Sequence, residues 1–93
     1  MAPKIRKRIT FTGWVQGVGF RYRAVQAARL YGATGWVQNQ WDGSVLMEIQ
    51  GTEASIDAVL LAIERGHYIA IDRRRVKTLP LLEETDFVVR DDG

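Results

Sequence analysis

Gly13-Trp14-Val15-Gln16-Gly17-Val18-Gly19-Phe20-Arg21 combines glycines with a terminal arginine at a spacing that suits phosphate chemistry. If a helix begins at about Arg21, the glycine-rich turn feeding it leaves several backbone N–H groups unpaired and pointing one way, which makes an anion site. Gly17 and Gly19 let the backbone curl around a ligand. Arg21 adds a planar, permanently charged fork that can make two parallel hydrogen bonds to phosphate oxygens. The competing reading is an ordinary strand-to-helix turn with a solvated arginine, since short glycine motifs also arise by chance. A second stretch, Gly35-Trp36-Val37-Gln38-Asn39-Gln40-Trp41-Asp42-Gly43, carries an asparagine whose amide both donates and accepts. Asn39 can thus hold a water on one side and a phosphate oxygen on the other, or it can simply serve a hairpin.

The surrounding pattern says which elements position these residues. Ile9, Phe11 and Gly13 alternate with Arg8, Thr10 and Thr12, the period of a half-buried strand. Ala24, Ala27, Ala28 and Tyr31 follow at helical spacing, with Gly32 as the C-cap. Trp36 and Val37 open a second strand that ends near Asn39, and Val45, Met47 and Ile49 alternate through a third. Asp42-Gly43 between them predicts a type I′ hairpin turn, in which both central residues take positive φ. Thr52 caps a second helix whose buried face is Ile56, Val59, Leu60 and Ile63 and which ends at Gly66. Residues 68–79 read as a strand of unsettled register around a basic centre, and Phe87 to Val89 as a short last strand.

This order, βαββαβ plus one short C-terminal strand, predicts an α+β ferredoxin-like sandwich: a mainly antiparallel sheet with two helices on one face. In that plan the first two strands run parallel with another strand between them. Their C-terminal ends emerge at one sheet edge, so the glycine-rich loop and Asn39 are expected to be neighbours.

Composition narrows the chemistry. The 93 residues, 46% of them apolar, suit one domain spanning residues 1–93. There is no cysteine and a single histidine, so no disulfide framework and no zinc cluster of Cys and His ligands is expected. Lys4, Arg6, Lys7 and Arg8 precede a segment broken by Thr10, Thr12 and Gly13, which is no signal-peptide core, and no apolar run approaches a membrane span. A cytoplasmic protein without membrane association is the expectation. The net charge of +2 is compatible with anionic ligands of any size.

The two signatures together are more specific than either alone. They resemble the acylphosphatase family: the catalytic glycine loop ending in arginine is similar to Gly13–Arg21, and the family's second signature to Gly35–Gly43. The resemblance runs over the whole chain, including Gly51 and Phe87-Val88-Val89-Arg90. It implies a hydrolase of acyl phosphates with a ferredoxin-like fold. The loop Val15, Gln16, Gly17, Val18, Gly19, Phe20 and Arg21 would bind phosphate, Arg21 would be the phosphate-binding side chain, and Asn39 would position the attacking water. No cofactor and no metal are expected, inorganic phosphate should be both product and inhibitor, and the chain should be a monomer. One departure is Gly66-His67-Tyr68-Ile69-Ala70, where family members usually place Gly-Pro and a regular strand.

The residue types fit that substrate class. An acyl phosphate expels a carboxylate whose conjugate acid has a pKa of about 4–5, so the leaving group requires no general acid. A phosphate monoester expels an alkoxide and normally demands one. Neither signature contains histidine, cysteine or lysine, and their one carboxylate, Asp42, falls in the expected turn. His67, beyond the second helix, reads as a surface residue, and Trp14, Trp36 and Trp41 read as packing rather than an acyl pocket. The rival reading is a ferredoxin-like nucleic-acid-binding module, with Gly17-Val18-Gly19-Phe20-Arg21 echoing an RNA-recognition motif and Arg73-Arg74-Arg75 tracking a backbone. That motif belongs on a central strand, whereas here it precedes a helix, so no nucleic-acid partner is expected. A catalytically silent interaction domain on the same fold is a further alternative, disfavoured by the presence of both Arg21 and Asn39.

Overall fold

A computed structural model describes residues 2–92. Its elements are β1 (Lys4–Trp14), α1 (Phe20–Tyr31), β2 (Thr34–Asn39), β3 (Val45–Thr52), α2 (Glu53–Glu64), β4 (Ala70–Leu79) and β5 (Phe87–Val89). The strands form one sheet in the order β4-β1-β3-β2-β5, antiparallel except where β5 lies parallel to β2. This is the ferredoxin-like α+β arrangement expected from the order of elements, including the extra C-terminal strand. β3 separates β1 from β2, so Trp14 and Asn39 end their strands at the same edge of the sheet.

The core lies between the sheet and the two helices. Ile9 and Phe11 from β1, Met47 and Ile49 from β3, and Val37 from β2 are buried with Ile56, Val59 and Ile63 of α2. α1 contributes Phe20, Ala24, Ala27 and Ala28. Its buried stripe therefore begins one turn earlier than expected, and Tyr31 is 43% exposed rather than in the core. Phe20 takes that place because it lies four residues before Ala24 and its ring packs 4.9 Å from that of Phe11.

Three local expectations change. Among the described residues no non-glycine residue has positive φ, so Asp42-Gly43 is not a type I′ turn. The Gly43 N–H bonds to the Gln40 carbonyl, and Gly43 alone is left-handed, at φ 92°. This is the three-residue hairpin of a turn followed by a left-handed residue. Asp42 favours that form by accepting from the Ser44 N–H and hydroxyl. Gly66 is not a left-handed cap: α2 ends at Glu64 with a right-handed Arg65 cap. A Cβ on Gly66 would come within 2.5 Å of Ile69 and 2.8 Å of Arg23, so close packing explains this glycine. The unsettled strand runs Ala70–Leu79 at the sheet edge, with a bulge at Asp72, since Thr12 faces Arg73 while Gly13 faces Ile71.

β1 also starts earlier than Ile9, because its basic residues have cross-strand partners. Arg6, 1% exposed, lies under the 80–86 connection, which must cross the sheet from β4 at one edge to β5 at the other. Its guanidinium donates to Glu48, Gln50 and Glu84, as short as 2.5 Å to Glu84 Oε1. Arg8 takes the second Glu48 oxygen at 2.6 Å.

Candidate active site

The loop between β1 and α1 is anchored at two points. Val15 is buried in the core, and Gln16 Nε2 donates to the carbonyls of Gln40 at 2.7 Å and Ser44 at 2.8 Å. The Gln16 side chain therefore ties the loop to the β2–β3 hairpin. Val18 packs against the core edge. Gly17 and Gly19 are both left-handed, at φ 72° and 83°, although a Cβ on either would meet nothing within 4 Å. Their requirement is conformational: two left-handed turns close together bend the chain around a point, which other residues adopt only with strain.

Gly19 is also the N-cap of α1, with no side-chain cap and no acidic residue in the first turn. Among the described residues, no acceptor engages the backbone N–H groups of Gln16 to Arg21. These donors and the positive end of the helix dipole are thus available to one anion. They open onto a cleft of about 490 Å³ whose lining includes Gly17, Gly19, Arg21, Tyr22, Val25 and Asn39.

Arg21 is partly exposed and pairs with Asp92 at 2.9 Å. An exposed pair of this kind contributes about 0–1 kcal/mol, so a bound phosphate can take its place readily. Asn39 differs from its surroundings. It is only 8% exposed, and its Oδ1 is buried without a hydrogen-bond partner among the described residues. Leaving a buried acceptor unsatisfied costs about 1–3 kcal/mol. Such an orphan is a sign of a site that receives a donor from outside the chain.

Loop, Arg21 and Asn39 are therefore brought to one cleft, as the strand order requires. Asp42 is not in it; it faces the opposite side of the hairpin, where the Ser44 hydroxyl and N–H hold its carboxyl below the usual range. His67 is exposed, with its ring edge-on to Tyr68, as expected of a surface residue. Of the tryptophans only Trp36 packs, under the Arg90 guanidinium at 4.1 Å from its ring centre; Trp14 and Trp41 are 74% and 89% exposed, against the packing expectation. Trp14 lies past Phe11, the last β1 residue paired with β3, and Trp41 lies in the turn before Val45, so neither has a β3 residue beside it. Sequence reasoning missed Tyr22, Val25 and Val89 of the cleft wall. Tyr22 and Val25 sit beside Arg21 and one turn on, a spacing that places them on the same edge of α1.

The acylphosphatase family's sequence model matches residues 7–89. The chain belongs to the acylphosphatase family. An acylphosphatase of Bifidobacterium longum is 42% identical over 85 residues, covering 90% of this chain and 88% of the relative. Among solved structures, an acylphosphatase from Bacillus subtilis superposes with a TM-score of 0.84 at 31% identity, covering 92% of this chain and 98% of the other. One from Coxiella burnetii gives 0.84 at 28% identity, covering 94% and 93%. Enzyme class and fold agree across these acylphosphatases, and the nucleic-acid reading is not favoured. The glycine motif that prompted that reading runs from the loop after β1 into the first turn of α1, not along a strand. Among the described residues no helix is long and apolar enough to cross a membrane.

Proposed function

We propose that this acylphosphatase-family hydrolase splits the carboxyl–phosphate bond of an acyl phosphate by cradling the phosphoryl group in the Val15 to Arg21 loop and presenting a water from Asn39. The backbone N–H groups of Gln16 to Arg21 and the Arg21 fork stabilise charge on the equatorial oxygens, the main requirement of phosphoryl transfer. Asn39 Oδ1 accepts a hydrogen bond from the water and aligns it opposite the leaving carboxylate. The water oxygen bonds to phosphorus as the bond to the carboxylate oxygen breaks. The carboxylate leaves with the bond's electron pair, and a phosphate oxygen takes the water's proton. The buried, unpartnered Asn39 Oδ1 beside a loop of free N–H groups is the observation that carries this reading.

Tyr22 is the one neutral proton donor on the cleft wall, and it is largely exposed. A carboxylate leaving group does not need it. Purified protein, assayed with chelator present, should release phosphate from an aromatic acyl phosphate and barely touch an aromatic phosphate monoester, and Tyr22→Phe should leave the acyl phosphate rate near the parental value. Comparable rates on both substrates would contradict the proposal.

Arg21→Lys retains the charge but loses the planar fork. Losing one charge-assisted hydrogen bond costs about 1.5–3 kcal/mol, so kcat/KM should fall roughly 10- to 150-fold. Phosphate inhibition should weaken with it, because Arg21 holds the phosphoryl group before and during reaction. An unchanged inhibition constant would separate Arg21 from phosphate binding.

A further inference from the structure

Both helices cover the same face of the sheet, and toward β4 the other face is open. Pairing sets Arg73 opposite Thr12, Arg75 opposite Thr10 and Lys77 opposite Arg8, so all of these side chains share that open face. Arg74, between them, turns the other way and pairs with Glu64 of α2. Arg6, Arg8, Arg21 and Arg29 also have carboxylate partners. Arg73 and Arg75 have none among the described residues. They border a cleft of about 330 Å³ completed by Thr10, Thr12, Asp42 and Ser44.

Asp42 is the carboxylate in that cleft, and one of its oxygens already accepts from the Ser44 N–H at 3.0 Å and hydroxyl at 2.6 Å. Glu48, the next acid on this face, is taken up by Arg6 and Arg8. Two free guanidiniums and two threonine hydroxyls therefore face a concave surface with an excess of positive charge, and Lys77 extends it. Cations on an edge strand also discourage strand-to-strand aggregation. That purpose needs charge alone, with neither the cleft nor the hydroxyls.

We propose that this cleft is a second anion site, which binds a condensed phosphate chain across Arg73 and Arg75. The two residues are spaced two apart on an extended strand, about 6.6–6.8 Å, which suits two phosphoryl groups of one chain. Each guanidinium grips one group, and the Thr10 and Thr12 hydroxyls donate to oxygens between them. The site lies across the sheet from the helices and shares no lining residue with the catalytic cleft.

The test is a titration of the whole chain with tripolyphosphate, followed by backbone amide NMR at constant ionic strength. Saturating inorganic phosphate is kept present so that the catalytic cleft is filled. Saturable shifts are expected at Thr10, Thr12, Arg73 and Arg75. Arg73→Gln with Arg75→Gln should weaken binding about tenfold or more and leave kcat and KM for acyl phosphate unchanged. Arg73→Lys with Arg75→Lys, which keeps the charge and loses the fork, should also weaken it. If a double variant unfolds, Arg75→Gln alone gives the same reading with a smaller loss. A nonsaturating response matched by chloride, or lysine variants that bind like the parent, would overturn the site and leave only edge-protecting charge. Single-stranded DNA should associate weakly and dissociate with added salt; sequence-preferring binding that survives physiological salt would overturn the assignment to a simple phosphate chain.

Discussion

Asn39→Ala should lower kcat on an aromatic acyl phosphate by about 10²–10³, the loss typical of removing one preorganised transition-state contact. Phosphate inhibition should change little, because the loop and Arg21 remain. Stability supplies the control. Asn39 Oδ1 makes no hydrogen bond within the described chain, so its removal breaks no internal bond and relieves a buried orphan. The variant should therefore melt at or near the parental temperature while losing activity. Near-parental kcat, or activity lost only through unfolding, would return Asn39 to the role of a hairpin residue.

The second large effect is on stability. Arg6→Ala removes the centre of a buried network and leaves Glu48, Gln50 and Glu84 without their shared donor. Breaking a buried pair from one side costs about 3–5 kcal/mol, a large part of the ~5–15 kcal/mol that holds a domain together. Urea denaturation measures it, and kcat of the folded fraction should be unchanged because the network lies at the far end of β1 from the catalytic loop. Glu48 adds a pH signature. Burial alone would raise its carboxyl, but the hydrogen bonds and charges of Arg8 and Arg6 outweigh that and hold it below its ordinary value of 4.5. A depressed carboxyl stabilises the fold above its unfolded value and loses that contribution as pH falls through the lower folded one. Parental stability should therefore decline below about pH 4.5, and less steeply in Arg6→Ala. A loss under 1 kcal/mol would mean that the connection over Arg6 is held by packing alone.

The features legible in the sequence were those written at short range. Alternation through Ile9 and Phe11, the helical spacing of Ile56, Val59 and Ile63, and the Thr52 cap all depend on neighbours within a few residues, and they determine the order of elements. From that order the meeting of the Gly17–Arg21 loop with Asn39 followed geometrically, since strands that run parallel across a shared neighbour end together. The features missed depend on distant partners. Arg6 stood out only as one of four basic residues near the N-terminus, because its partners Glu48 and Glu84 lie 42 and 78 residues away. Gly66 read as a cap because its steric reason, Arg23, belongs to the other helix. The type I′ expectation failed at Asp42 because Ser44 offered its carboxylate a better local arrangement, and Trp14 and Trp41 stay exposed because the pairing of β3 begins only at Val45, short of their level. The empty acceptor of Asn39 is likewise a tertiary fact, since nothing local marks it as unpartnered.

Amide NMR during titration with inorganic phosphate tests the phosphate cradle most directly. The backbone N–H signals of Gln16 to Arg21 should move together and saturate at a dissociation constant equal to the competitive inhibition constant for acyl phosphate hydrolysis, with the Asn39 side-chain amide responding in the same range. Inhibition that is absent or noncompetitive, or a loop whose amides stay still while phosphate inhibits, would contradict phosphate binding by the Val15 to Arg21 loop.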